Sequence, residues 1–290
     1  MEETAELNRQ NDARMDEIAQ DIRQNQPLTS DRQPLTALEE PYQDPGSQHF
    51  LAGVRILQQN YSHVRMVRGD GNCYYRAFLF SVVEQLLLAK NKQPKTTTSS
   101  SPPPQQSSEG QRILEWIKTD SWKQVLAMGY DEMTLEIFYD AMVDLLERVV
   151  QDQSFDLNAF TTEMNQENHT SDYCTWYMRV LTATHLKSDP GRFLPFLIEE
   201  HPGMDIQQFC QREVEPMGKE CEMVQALALA EALGVTVQIE YLDGTQQQQD
   251  GQGGELTHHI VGKQTDPGKE NLFLTLLYRP GHYDILYGLQ

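Results

Sequence analysis

The chain has 290 residues, of which 39% are hydrophobic, and its 43 acidic against 23 basic side chains leave a formal charge of −20. That length and apolar content suffice for one large packed domain or two small ones. The charge would repel a phosphate backbone, which argues against nucleic acid and anionic membrane as partners and favours a basic protein surface. Met1 to Ser30 is dominated by charged and amide side chains, without the apolar core of a signal peptide, and no later stretch reaches transmembrane length. The four cysteines, Cys73, Cys174, Cys210 and Cys221, lack CxxC or close Cys/His spacing, so they read as reduced thiols of the cytoplasm or nucleus rather than zinc ligands.

In chain order, Leu7, Met15, Ile18 and Ile22 recur at turn spacing in a polar stretch, predicting a helix with a narrow apolar stripe that ends near Pro27. Phe78 to Leu88 predicts a buried helix that begins soon after Asp70-Gly71-Asn72. Residues 91–110, with runs of Thr, Ser and Pro, hold too little apolar surface to offset ordering entropy and predict a disordered insertion. Three helical patterns follow, Ile113 to Met128 with Gly129 as a stop, Leu135 to Val150, and Tyr173 to Leu186. A further helix is expected from Pro216, a favourable first-turn residue, to Gly234. Val235–Tyr241, Asn271–Tyr278 and Tyr283–Tyr287 alternate as strands, and the Gly/Gln-rich stretch within 243–256 predicts a loop.

Two segments carry chemistry. Gly69-Asp70-Gly71-Asn72-Cys73 places one thiol between a glycine-containing turn and the start of an apolar helix. A helix N-terminus and a neighbouring imidazolium favour the thiolate, which is the nucleophile. The unpaired N–H groups of the turn are available to a developing oxyanion. Taken alone, Cys73 would read as a small buried hydrophobe. At the other end, Leu276 to Tyr287 runs strand, turn, strand, and His282 and Asp284, two apart, project from one face. A carboxylate there holds the imidazole in one tautomer and stabilises its protonated form. The other seven histidines show no such neighbour in sequence.

Together, Gly69-Asp70-Gly71-Asn72-Cys73 and Arg279-Pro280-Gly281-His282-Tyr283-Asp284-Ile285-Leu286-Tyr287 resemble the otubains, a branch of the ovarian-tumour (OTU) deubiquitinases. The likeness continues at Thr170-Ser171-Asp172-Tyr173, Val214-Glu215-Pro216-Met217 and Ala230-Glu231-Ala232-Leu233. The resemblance implies an α+β, papain-like OTU fold, a mixed central sheet flanked by a larger helical part. The expected organisation is an N-terminal helical arm at 1–40 and a catalytic domain at 41–290. It implies thiol-dependent hydrolysis of the isopeptide bond between the ubiquitin C-terminal glycine and lysine in polyubiquitin chains, with no metal or cofactor.

By the same resemblance Cys73 is the nucleophile, His282 its base and then the acid for the departing amine, Asp284 its orienter, and the turn carrying Asp70 supplies oxyanion donors with the amide of Cys73. Gly69, Gly71, Asn72 and Tyr283 are expected to contact substrate. The expected partners of a monomeric enzyme are ubiquitin and polyubiquitin, and a ubiquitin-conjugating enzyme that the N-terminal helix would block without cleavage. Gly69 stands where animal otubains commonly carry proline, and Cys221-Glu222-Met223-Val224-Gln225 replaces a stretch that usually holds two histidines. Both departures imply a relaxed choice of chain linkage.

Overall fold

The computed structural model describes residues 14, 17, 20–92, 108–244, 246–247, 255–262 and 272–289. Its centre is a six-stranded sheet built from β1 (Gln33–Pro34), β2 (Tyr61–Arg65), β3 (Thr236–Tyr241), β6 (His258–Gly262), β7 (Phe273–Arg279) and β8 (His282–Gly288), in the order β1-β2-β8-β7-β3-β6. Every pairing is antiparallel except β3 with β7, which is parallel. The sheet is therefore mixed, as expected, and its central strands carry the apolar runs of Val237, Ile239, Leu274 and Leu276.

Helices α1 (Gln48–Leu57), α2 (Cys73–Lys92), α3 (Glu109–Trp116), α4 (Trp122–Ala127), α5 (Glu132–Gln151), α6 (Leu157–Met164), α7 (Thr170–Ser188), α8 (Pro190–Leu197), α9 (Ile206–Phe209) and α10 (Met223–Leu233) make up the larger helical part. Helix α2 is apolar on most of its circumference because it is enclosed by other elements rather than lying on the surface. Tyr74, Phe78, Phe80 and Val83 are each 0% exposed and pack with Leu145, Met178, Ala230 and Ile285 in the main core. The opposite side of the sheet closes a smaller core from Leu35, Leu38, Val54, Val64, Leu277 and Leu286. The strand period of two explains the division, since Ile285 and Leu286 are adjacent yet belong to different cores.

The expected helices at 113–128, 135–150 and 173–186 are present with longer or interrupted bounds. The first is broken by a π-helical turn, Ile117–Ser121, and stops before Gly129 at φ +85°. Gln20 to Asn25 is helical and the helix ends before Pro27, while Leu7, Met15 and Ile18 lie outside the described residues. Leu28, Leu35 and Leu38 are buried, so the chain is packed into the main body of the fold well before residue 41. Of the expected insertion, 93–107 lies outside the described residues, and its flanks are helical, to Lys92 and from Glu109.

Two expectations need correction. The helix expected from Pro216 begins instead at Met223, where Glu222 accepts from the third helical N–H and Gln225 returns the bond to the Glu222 amide, forming a capping box. Residues 215–222 remain a loop, with Gly218 at φ +79° in a conformation a helix does not allow. The loop expected over 243–256 contains a short ladder, β4 (Gln246–Gln247) with β5 (Glu255–Leu256), because Leu256 is buried in the smaller core. Residues 245 and 248–254 lie outside the described residues.

Candidate active site

Cys73 is the first residue of α2 and is 2% exposed. The turn before it is shaped from both sides. Gly71 sits at φ +76°, and a Cβ there would stand 2.1 Å from the carbonyl oxygen of Gly218, so both the backbone conformation and the contact require glycine. Replacing Gly71 with alanine is expected to lower stability by roughly 1–3 kcal/mol. Denaturant unfolding reads this directly, and an unchanged midpoint would mean the loop at 218 yields freely.

The Asp70 carboxylate accepts the Asn72 N–H at 3.1 Å and takes Arg76 Nη1 at 2.6 and 2.8 Å, while Arg76 Nη2 reaches Asp172 Oδ1 at 3.0 Å. Burial raises the Asp70 carboxyl pKa, but the Arg76 guanidinium and the Asn72 amide outweigh it and hold it below the usual range. The Asp70 N–H donates to the Arg68 carbonyl at 3.1 Å. Among the described residues no acceptor pairs with the amides of Gly71 and Cys73, and these two are the turn's available donors.

His282 arrives on β8 after a two-residue turn, Pro280-Gly281, with Gly281 at φ +71° and Arg279 paired to His282 across the ladder. Its Nε2 lies 2.9 Å from Asp284 Oδ1, the same-face contact expected from the strand period. Asp284 is 0% exposed and also accepts the Val67 N–H at 2.9 Å and Arg279 Nε at 3.0 Å and Nη2 at 2.5 Å. Burial works against its ionisation, but His282, Arg279 and the Val67 amide keep its carboxyl below the usual range.

The far side of the imidazole faces the thiol turn. Cys73 lies close enough to raise the proton affinity of the ring, and a Cβ on Gly69 would stand 3.4 Å from Nδ1. With Nε2 committed to Asp284, Nδ1 is the nitrogen left for sulfur. Burial alone would depress the imidazole, but Asp284 and Cys73 together raise it from 6.5 to about 9. A thiol, an imidazole and a buried carboxylate in a row, with two free amides beside the sulfur, can carry out nucleophilic acyl transfer without a metal.

Residues 21–288 match the family model for peptidase C65, otubain. Human ubiquitin thioesterase OTUB1 is 36% identical over 276 residues, covering 95% of this chain and 88% of that protein. An Arabidopsis thaliana OVARIAN TUMOR DOMAIN-containing deubiquitinating enzyme 1 is 32% identical over 90% of this chain and 81% of its own length. This chain belongs to the otubain family. A solved complex of h/ceOTUB1 with ubiquitin aldehyde and UBC13~Ub superimposes with a TM-score of 0.79 at 27% identity, over 98% of this chain and 99% of that one. The α+β OTU architecture follows from the same likeness.

Within this otubain, His282 and Asp284 are hydrogen-bonded, and Cys73, 209 positions from the imidazole (282 minus 73), lies close enough to act on it. Other expected site residues serve differently. The carboxylate of Asp70 braces the turn through Arg76 and its amide donates to the Arg68 carbonyl, while the amides of Gly71 and Cys73 have no acceptor among the described residues. Asn72 and Tyr283, expected to touch substrate, are 5% and 3% exposed. Asn72 Oδ1 accepts inward from Gly218 N–H and Arg179, and the Tyr283 ring packs on Tyr74 and Tyr278.

Arg76, Asp172, Arg279 and Arg179 went unrecognised as parts of the site. Arg279 was visible within the resembling motif, and Asp172 within Thr170-Ser171-Asp172-Tyr173, but their partners lie across the fold. Two further histidines do have carboxylate companions, distant in sequence: His201 with Glu222 at 2.8 Å and His185 with Glu231 at 3.2 Å. Glu222 also takes part in the capping box that opens α10.

Proposed function

We propose that this otubain, a cysteine-type deubiquitinase, hydrolyses isopeptide-linked polyubiquitin with Cys73 as nucleophile, His282 as proton carrier and Asp284 as its orienter. The observation that carries this reading is an imidazole whose Nε2 is fixed 2.9 Å from a buried carboxylate and whose Nδ1 faces the turn that carries Cys73. In the proposed reaction, sulfur attacks the carbonyl carbon of the ubiquitin C-terminal glycine. The negative oxygen that forms points at the Gly71 and Cys73 amides. The imidazolium then protonates the departing lysine amine, and water, deprotonated by the same imidazole, releases ubiquitin from the thioester. The acidic surface suits the arginine-containing ubiquitin tail that the family resemblance implies.

The proposed linkage preference is relaxed, because Gly69 sits against the imidazole and, among the described residues, is held only by its N–H to Gln26 Oε1 at 3.4 Å. Gly69→Pro removes that donor and restricts the backbone beside the base. A cleavage panel over all ubiquitin linkages is expected to show several cleaved by the natural chain and fewer by the proline variant. Identical panels would remove Gly69 from the account of selectivity.

A second role, occupation of ubiquitin-loaded conjugating enzyme, is favoured by the fit to the OTUB1 complex with UBC13~Ub. It is also supported by the anchoring of residues 23–26 beside the catalytic turn, where Arg68 donates to the carbonyls of Gln26 and Arg23. A Cys73→Ala protein should then still slow ubiquitin transfer, and removal of residues 1–25 should relieve the block. The cut stops at 25 because Leu28 and Thr29 are each 2% exposed and belong to the fold.

A further inference from the structure

Arg179, in the middle of α7, is 0% exposed. The other deeply buried arginines face carboxylates, Arg76 those of Asp70 and Asp172, Arg65 that of Glu84. Among the described residues the guanidinium of Arg179 meets none. It lies over the Tyr75 ring, 4.4 Å from its centroid, and its hydrogen bonds go almost wholly to backbone. Nη1 donates to the Val214 carbonyl at 2.9 Å. Nη2 is shared among the carbonyls of Gly71 at 2.8 Å and Lys219 at 2.7 Å and the Asn72 Oδ1 at 2.8 Å. Asn72 Oδ1 passes the link on to the Gly218 amide at 2.9 Å.

An always-charged side chain buried without an anion is costly, and the surrounding carbonyl dipoles are what make it tolerable. Those dipoles belong to two segments, the turn before Cys73 and residues 214–219, where the π-helical turn Cys210–Val214 runs out into the loop. The turn contains glycine at 69 and at 71, so its peptide planes are poorly restricted by their own side chains. The plane joining Gly71 to Asn72 matters most. That plane sits between the two that carry the Gly71 and Cys73 amides, so if its carbonyl left Arg179, ψ of Gly71 and φ of Asn72 would change and the two amides would lose the fixed hinge between them.

We propose that Arg179 is a positioning residue for acyl transfer, holding the Gly71 carbonyl and Asn72 against the 214–219 loop so that the Gly71 and Cys73 amides stay aimed at the developing oxyanion. This rests on the reading of Cys73 as nucleophile. The role differs from activating the sulfur, which His282 and Asp284 perform, and the two are separable by experiment.

The test uses the full chain carrying Arg179→Lys, which keeps the charge but has no planar fork to reach both segments. Steady-state cleavage of a fluorogenic ubiquitin conjugate is measured beside the rate of Cys73 alkylation by iodoacetamide, a reaction that forms no oxyanion. The expected result is a fall in kcat of about 100-fold, the scale of a displaced or lost oxyanion donor, with KM and the alkylation rate within about twofold of the natural chain. A kcat within about threefold of the natural chain, or a parallel fall of kcat and alkylation, overturns the proposal. Asn72→Leu removes one acceptor and leaves the guanidinium in place, and it decides by the same split if Arg179→Lys does not fold. Cys73→Ala, run alongside, separates the two readings: full activity there sinks the nucleophile assignment, whereas an inactive Cys73→Ala with an unimpaired Arg179→Lys sinks only this one.

Discussion

Cys73→Ala is expected to abolish ubiquitin-chain cleavage, by about 10⁴-fold or more, because no other group in the site can form the thioester. Cys210 and Cys221 are not substitutes. Burial pushes the Cys210 thiol up to about 12 and the Cys221 thiol well above its ordinary value, so both remain protonated and inert. The Cys73 side chain is 2% exposed, and its truncation removes one atom from a packed wall, so unfolding should shift little. Gel-based cleavage with matched unfolding curves checks both statements, and an alanine variant that cleaves normally would end the assignment.

Asp284→Asn is expected to lower kcat/KM by about 10³–10⁴-fold, since the amide no longer fixes the tautomer or supports the imidazolium. It should also change the pH profile. In the natural chain the imidazole holds its proton up to about 9, so cleavage should decline only as the pH passes that value. Without the Asp284 charge this limb should move down towards the ordinary histidine value of 6.5.

The linkage to stability has two signs. His282 is raised, so the folding stability that its proton supplies is complete below 6.5 and is lost as pH rises through about 9. Asp284 is lowered, so its contribution is present above its ordinary value of 3.8 and is lost as pH falls through the lower folded value. The asparagine variant should therefore be less stable chiefly above pH 3.8, where it leaves Arg279 without its carboxylate. The deficit should stay below the roughly 3–5 kcal/mol typical of a broken buried pair, because Arg279 is 21% exposed. Chemical denaturation at pH 3 and pH 7 reads the difference, and an equal deficit at both would contradict it.

The thiol turn and the His282–Asp284 pair were legible because each sits in a local pattern. Gly71 and Cys73 occupy a turn that opens an apolar helix, and His282 and Asp284 share a strand face, so neighbour geometry alone brings imidazole and carboxylate together. What holds them was not legible, because those contacts cross long stretches of chain: Val67 to Asp284, Arg179 to Gly71, Arg76 to Asp172. Tyr283 reads as a substrate contact by the family resemblance, yet the same strand period that puts His282 beside Asp284 sends Tyr283 into the core.

Among the elements, buried helices such as α2 announced themselves by continuous apolar content. The edge strand β6 did not, since His258, His259 and Ile260 are exposed and Val261 is its buried apolar residue. The helix misplaced to Pro216 shows the limit of a favourable first-turn residue. A capping box at Glu222 and a left-handed glycine at 218 outweigh it.

The coupling of Cys73 to His282 before substrate binds is tested most directly by following the ring nitrogens of His282 by NMR as pH is raised. The expected midpoint is about 9 in the natural chain, and it should fall in Cys73→Ala, where one of the two groups that sustain the proton is gone. A midpoint near 6.5 in the natural chain, or one indifferent to the loss of Cys73, would show that the two side chains do not meet before substrate arrives.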